Sequence, residues 1–232
     1  NCDAPTLTTR QTMNGEMAAF LQLCMESRQN ILLSLAPGVD GSEIFQYLAN
    51  VISDTERLVS IQDVDALNFK GRNGVHLSTS TTSTSLDQVF RQAAMENPSR
   101  LFIDTALGQS AITVTELIAT RYRGSVMAIH ASSPDEAAAH LVRLCHHAGI
   151  SSPAAWTSTV VDFVVQVTAS PEATVVIESI SEVAKAEGER TNLIPIFVHD
   201  ADFSATGAIP QFCERDVVRD RAAELSLFTD ND

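Results

Sequence analysis

The chain has 232 residues, 44% of them hydrophobic, which is enough to bury the core of one large domain. Its 29 acidic residues outnumber its 15 basic ones and give a formal net charge of −14. A surplus of negative charge repels the phosphates of nucleic acids and anionic lipids. The composition therefore predicts that the chain binds neither nucleic acid nor a lipid surface directly.

Cysteine spacing and hydropathy predict a soluble protein of a reducing cytoplasm. The cysteines Cys2, Cys24, Cys145 and Cys213 are widely separated, which favours neither a zinc site nor a disulfide framework. No apolar stretch approaches the roughly 20 residues of a membrane-spanning helix, and the amino terminus is unlike a signal peptide.

Hydrophobic spacing predicts strands and helices that alternate along most of the chain. Helices are predicted over 15–29, 44–52, 86–97, 110–120, 134–147 and 217–227. Strands are predicted over 30–34, 57–61, 75–79, 100–104, 125–130, 162–168, 174–182 and 192–198. The alternation predicts an α/β fold with a mostly parallel central sheet flanked by helices, and the last strands predict an antiparallel edge.

The order of several segments resembles a known family. These segments are GEMAAFLQLCMESRQNILLS, ISDTERLVSIQD, NPSRLFID, GSVMAIHASSP, VVDFVVQV, ISEV and IPIFV. They resemble the secretion ATPases of the type II/IV superfamily and, within it, the CpaF/TadA-like motors of tight-adherence (Tad) pili. The likeness runs from about Leu7 to Phe228. It implies a RecA-like P-loop NTPase fold with antiparallel C-terminal strands.

The resemblance also implies a domain organisation. Residues 1–29 are expected to be an N-terminal linker and helix, and residues 30–232 a RecA-like ATPase-type domain. Within that domain, 160–216 is the strand-rich edge and 217–232 the C-terminal tail. The family's N-terminal domain is expected to be absent from this chain, and the start at Asn1 rather than at methionine is expected to mark a boundary within a longer protein.

The phosphate loop of this family appears in a degenerate form. A loop of the type G-x-x-x-x-G-K-[ST] binds phosphate through backbone N–H groups, a lysine and a magnesium-binding hydroxyl. In the family register, Leu35 replaces the first glycine, Asp40 the second, and Gly41 the lysine, while Ser42 keeps the hydroxyl. Gly38, Gly41 and Ser42 are interpreted as an ordinary turn and helix cap.

The family's catalytic carboxylate is also expected to be lost. In the family, the strand at 100–104 ends in Gly-Glu, which would orient water or hold a metal ion; here Asp104-Thr105 stands in its place. Asp104 is one position away, and such a shift on a strand turns a side chain to the opposite face. The simpler interpretation of Asp104 is a strand-end residue that caps the next turn.

Other charged elements of the family site are reduced. The acidic pair of the Asp box is Gln62-Asp63 here, with one carboxylate replaced by an amide. His76 and Ser80 stand where the family carries arginines that reach phosphates. By this resemblance, half of the Asp-box charge and both cations are missing.

One histidine of the family pattern is kept. His130, in the run AIHAS, corresponds to the His box. It either couples a ligand to a subunit contact or makes a structural hydrogen bond, and the structural role is favoured. His140, His146 and His147 are expected at solvent-facing helix positions rather than in a metal site.

These losses lead to a predicted non-catalytic protein, a pseudo-ATPase with no catalytic residues, no metal and no expected cofactor. It is expected to act through protein partners, such as an active CpaF-like ATPase or an inner-membrane platform protein of a Tad-type or related secretion system. It is expected in the cytoplasm, peripheral to the inner membrane and not spanning it. Ring assembly is doubtful, and a monomer or dimer is expected.

Two alternatives remain open at this stage. The chain is either an active ATPase with an unorthodox site, using ATP and magnesium with Arg121 or Arg123 in place of the lysine, or a sensor that binds a nucleotide or cyclic dinucleotide without cleaving it. Arg121-Tyr122-Arg123 is a candidate anion-binding patch. Arginines paired with the chain's own carboxylates are the commoner arrangement.

Overall fold

A computed structural model of the chain describes residues 2–62, 67, 73–79, 85–104, 110–170, 172, 174–199 and 204–228. The predictions for Asp63, Ser80, Thr105 and the last four residues lie outside them. The helices are α1 Ala4–Thr9, α2 Gly15–Glu26, α3 Ser42–Asn50, α4 Leu86–Met95, α5 Ala111–Thr120, α6 Pro134–His147, α7 Pro153–Val160 and α8 Asp216–Glu224. The strands are β1 Ile31–Leu35, β2 Leu58–Gln62, β3 Gly74–Ser78, β4 Arg100–Asp104, β5 Val126–His130, β6 Phe163–Ala169, β7 Val175–Glu187, β8 Arg190–Val198 and β9 Ser204–Ala205.

All strands in the described part of the chain belong to one sheet, in the order β3-β2-β4-β5-β1-β6-β7-β8-β9. The strands from β3 to β6 in this order are parallel, and β7, β8 and β9 add antiparallel pairs. This confirms the predicted mostly parallel sheet with antiparallel C-terminal strands. Parallel strands end at one edge of the sheet, which we call the carboxyl edge; the opposite edge is the amino edge.

Helices cover both faces of the sheet. One core contains the apolar residues of α2 and α3, packed on side chains such as Leu33 and Phe102. The other contains those of α4, α5 and α6, packed on side chains such as Ile61 and Met127. Alternate residues of a strand face opposite sides, which is why neighbouring apolar residues of the buried strands contribute to different cores.

Two helices were not predicted from the sequence. α1 has six residues and α7 has eight. Each contains proline within its first two positions, where the missing N–H is tolerated. Helices this short show too few turns for a clear 3.6-residue period, so their spacing alone did not identify them.

Polar groups fix the strands at the amino edge. Asn30, just before β1, donates through Nδ2 to the carbonyl of Val160 at 2.7 Å and accepts at Oδ1 from the N–H of Gly124 at 2.7 Å. The backbone N–H of Asn30 donates to Asp162 at 2.6 Å. Asn30 therefore connects the starts of β1, β5 and β6.

Candidate functional site

The β1–α3 loop, residues 36–41, leaves the sheet at its carboxyl edge. Leu35, the last residue of β1, lies opposite His130 of β5 and Val167 of β6. The backbone continues this pairing, because the N–H of Ala36 donates to the carbonyl of Val167 at 2.9 Å. Strand, loop and helix therefore have the arrangement of a phosphate-binding βα unit, as predicted.

The side chain of Leu35 occupies the space beside Gly41. Leu35 is 2% exposed and Gly41 is also buried. A Cβ atom placed on Gly41 would lie 2.6 Å from Cδ2 and 3.1 Å from Cδ1 of Leu35, closer than carbon atoms pack. A side chain at position 41, including the lysine of the family, therefore requires Leu35 to move.

The carboxylate of Asp40 turns toward the start of α3. Its Oδ1 accepts a hydrogen bond from the N–H of Ser42, the first residue of α3, at 2.9 Å. Gly41 precedes the helix and has no side chain with which to cap it. Gly38, with φ +80°, adopts the left-handed conformation that glycine permits. In the structure the loop thus combines a glycine turn with a helix start that is capped by Asp40, while the interpretation of Gly38, Gly41 and Ser42 as nothing more than a turn and cap stays a prediction.

A cation from the N-terminal segment reaches the first turn of α3. Nη1 of Arg10 lies 2.5 Å from Oε1 of Glu43. The sequence could not reveal this pair, since the partners are 33 positions apart. Arg10 and Glu43 thus form a surface ion pair, and pairs of this kind contribute little to stability.

The loop does not fit a magnesium-bound polyphosphate. A phosphate cradle presents converging N–H groups and a cation. Here the Asp40 carboxylate accepts a hydrogen bond from the N–H of Ser42. Leu35 fills the space beside Gly41, the position that corresponds to the lysine.

Gln62 and Asp104 are neighbours at the carboxyl edge. Their Cα atoms are partners in the β2–β4 pairing. Gln62 is 1% exposed, and neither polar atom of its amide has a hydrogen-bond partner within the described part of the chain. Asp104 is half-buried. The Asp-box and strand-end positions thus lie side by side on neighbouring strands, while Asp63 and Thr105 lie outside the described residues.

His76, at the position of a family arginine, belongs to the strand pair β2–β3. Its Nδ1 lies 3.0 Å from Oγ of Ser60, which is buried. This contact fixes the imidazole against β2.

The role of His130, for which a structural hydrogen bond was favoured, stays a prediction. His130 ends β5 and is exposed, and its side chain makes no hydrogen bond or ion pair with another described residue. The polar contacts nearby belong instead to Glu136, which accepts from both the N–H and the hydroxyl of Ser132. The Ser132 hydroxyl and then its N–H lower the pKa of Glu136.

The structure corrects the proposed use of Arg121 and Arg123. Both precede β5 and therefore lie at the amino edge, whereas the β1–α3 loop lies at the carboxyl edge. Nη2 of Arg123 donates to both oxygens of Asp162, at 2.9 and 2.7 Å, and Tyr122 is 7% exposed within the core. Arg121 is exposed. A five-residue strand spans about 16 Å, so neither arginine can replace the lysine.

His146 and His147 are exposed on α6, as predicted, whereas His140 of the same helix is half-buried. No group of three potential metal ligands occurs among the residues that the structure describes. Within the same residues, no helix has the length and apolar character needed to span a membrane.

Comparison with known sequences identifies relatives in type IV secretion. No profile of a known protein family matches the chain. The type IV secretion system protein PtlH of Bordetella pertussis is 27% identical over 138 residues, which are 56% of this chain and 41% of PtlH. VirB11 of Agrobacterium fabrum is 26% identical over 126 residues, 52% of this chain and 37% of VirB11. The similarity thus spans less than half the length of these relatives.

Comparison with solved structures identifies the same fold. The VirB11 ATPase of Brucella suis, solved with sulphate, has a TM-score of 0.64 at 19% identity over 77% of this chain and 54% of its own. The pilus retraction motor PilT, solved with ADP, has a TM-score of 0.56 at 14% identity over 89% of this chain and 54% of its own. In sequence the chain is thus similar over part of its length to type IV secretion proteins, and it shares the fold of these two solved ATPases.

Proposed function

We propose that the chain is a non-catalytic member of the secretion ATPase superfamily, a pseudo-ATPase that acts by binding proteins. The observation that carries the proposal is the β1–α3 loop, where Leu35 packs beside Gly41 and the Asp40 carboxylate caps the start of α3. An ATPase needs a cation and free N–H groups in this place, because its transition state carries the developing negative charge of the phosphate. The absence of the family glutamate and arginines in the sequence supports the same conclusion.

The proposed partners are components of a Tad-type pilus or of a related type II/IV secretion system. An active CpaF-like ATPase or an inner-membrane platform protein would place the chain at the cytoplasmic side of the inner membrane. The relatives' names support a secretion role in general, and the assignment to the CpaF-like branch comes from the sequence resemblance. We propose a monomer or dimer for this chain, since ATP would not hold subunit interfaces together.

The decisive experiment is a calorimetric titration of the chain with ATP, with and without magnesium, followed by a hydrolysis assay. We expect no heat of binding and no phosphate release above buffer. An active secretion ATPase measured in parallel serves as the control. A ligand at 100 times its Kd would stabilise the protein by about 2.7 kcal/mol, so a thermal melt detects any binding that calorimetry misses.

The other outcomes have defined meanings. ATP binding with hydrolysis would establish an unorthodox ATPase, and binding without hydrolysis would establish a sensor. Cyclic dinucleotides should be included in the melt to test the second case. If no nucleotide binds, co-expression with the host's active ATPase and, separately, its platform protein tests the partner; we expect a complex whose yield does not change with ATP.

A further inference from the structure

We infer that Leu35 and Asp40 form an intramolecular plug that holds the β1–α3 loop in one conformation without a ligand. The inference rests on the proposed function and adds to it how the loop is regulated. In a nucleotide-binding protein, the bound nucleotide determines which conformation of the phosphate loop is populated, so the two are linked. The plug removes this link, so the loop, and any surface it contributes to a partner, is independent of nucleotide concentration.

Leu35 is the apolar half of the plug. It is 2% exposed and belongs to the core between the sheet and α2 and α3. Its two δ-methyl groups lie where a side chain at position 41 would begin. The loop end at Gly41 is therefore held against the end of β1 by close packing rather than by a bound group.

Asp40 is the polar half of the plug. The first N–H groups of a helix have no partner within the helix, and the helix dipole favours a negative charge beside them. Asp40 supplies both the acceptor and the charge to the N–H of Ser42, at 2.9 Å. Because the carboxylate is part of the chain, it is always present at this position, whereas a free anion would have to bind.

Hydrogen exchange followed by mass spectrometry of peptides spanning 35–45 tests the plug. Asp40→Ala removes the acceptor, whereas Asp40→Asn keeps an oxygen acceptor and removes the charge. We expect about fivefold faster exchange for Asp40→Ala, the effect of losing a typical helix cap, and near-native exchange for Asp40→Asn. Leu35→Val, which shortens the side chain beside Gly41, should also speed exchange by about fivefold.

Asp135→Asn is the matched control. Asp135 is exposed in the first turn of α6, where the side chain of Ser133 provides the cap. This variant removes one negative charge from a helix start without removing a cap. It should leave exchange over 35–45 unchanged.

The wild-type chain is measured with ATP and magnesium, with inorganic phosphate and with neither, and we expect identical exchange in all three. Slower exchange with ATP would contradict the proposed function itself. If ATP has no effect and Asp40→Ala also exchanges like the wild type, the plug is wrong while the proposed function stands.

Discussion

The guanidinium of Arg100, with only 3% of its side chain exposed, donates to both carboxylate oxygens of Glu56, at 3.0 and 2.7 Å. The same guanidinium donates to the carbonyl of Met25 at 2.5 Å. Arg28 adds a second cation, with Nη2 2.7 Å from Glu56. This cluster ties the start of β4 to the segments that precede β1 and β2.

Arg100→Met should destabilise the fold strongly. Breaking a buried ion pair by removing one partner costs about 3–5 kcal/mol, and we expect the lower end of this range because Arg28 still pairs with Glu56. For a chain of this size, that corresponds to a fall in Tm of roughly 6–20 °C. Differential scanning fluorimetry or calorimetry measures it.

Arg219→Met is the control for that variant. Arg219 pairs with Asp216 on α8, but 64% and 86% of their side chains are exposed. Exposed pairs contribute about 0–1 kcal/mol, so Tm should change little. Equal losses for Arg100→Met and Arg219→Met would show that burial does not determine the strength of these pairs.

The Arg100–Glu56 pair should also make stability depend on pH. Burial acts to raise the pKa of Glu56, but Arg100 and Arg28 outweigh it and lower the pKa below its usual value. A carboxyl with a lowered folded-state pKa stabilises above its unfolded pKa of about 4.3 and loses that contribution as the pH falls through the folded value. The difference in unfolding free energy between wild type and Glu56→Gln should therefore be largest near pH 7 and shrink below about pH 4. Urea unfolding at several pH values measures it, and a gap that widens toward acid would contradict the assignment.

Leu35 and Gly41 should show strong energetic coupling. Gly41→Ala alone should cost about 1–3 kcal/mol through overpacking, and Leu35→Ala alone about 2–5 kcal/mol through a cavity. In the double variant, the alanine at position 41 has room, so the loss should fall short of the sum by about 1 kcal/mol or more. Urea unfolding of all four proteins completes the cycle.

Gly15→Ala provides the comparison for this cycle, because no atom outside its own helical turn and chain neighbours lies within 4 Å of a Cβ placed there. Combined with Leu35→Ala, it should give an additive change in unfolding free energy. Additivity at position 41 as well would mean that Leu35 does not limit the side chain there.

Restoring the loop should separate binding from turnover. The four changes Leu35→Gly, Asp40→Gly, Gly41→Lys and Ser42→Thr rebuild the anion cradle, and we expect ATP affinity that calorimetry can measure. Turnover should stay absent, because the family glutamate and arginines are still missing and ground-state binding does not stabilise the transition state. Hydrolysis by this variant would show that other residues already supply catalysis.

The matched control keeps Leu35 and makes the other three changes. Since a lysine at position 41 meets the methyl groups of Leu35, this variant should bind ATP much more weakly than the four-site variant. Equal affinities would mean that Leu35 moves aside at little cost.

Much of the fold followed from the sequence, and the details of the site did not. The helix over 134–147 was predicted with its observed bounds because Pro134 marks its start and apolar residues repeat at helical spacing. The contact between Leu35 and Gly41 depends on the direction of one side chain, which spacing does not give. The sequence carried one signal of this contact. Relative to the family pattern, Leu35 is a large residue in place of glycine, and Gly41 is a small one in place of lysine.

Arg121 and Arg123 illustrate an inference that the predicted topology already allowed. In a parallel sheet, residues before one strand cannot meet residues after another. The two arginines and the tyrosine between them suggested an anion-binding patch. The direction of the strands places this patch at the opposite edge of the sheet from the β1–α3 loop.

The contacts made by Asn30, by Arg100 with Glu56 and by Arg123 with Asp162 all lie at the amino edge, remote from the β1–α3 loop. Substitutions in the loop therefore leave these contacts untouched. A lineage released from selection for hydrolysis would be free to accumulate changes at the carboxyl edge while purifying selection preserved the opposite end. The part of the molecule in which sequence changes can accumulate is thereby separate from the part that stabilises the fold.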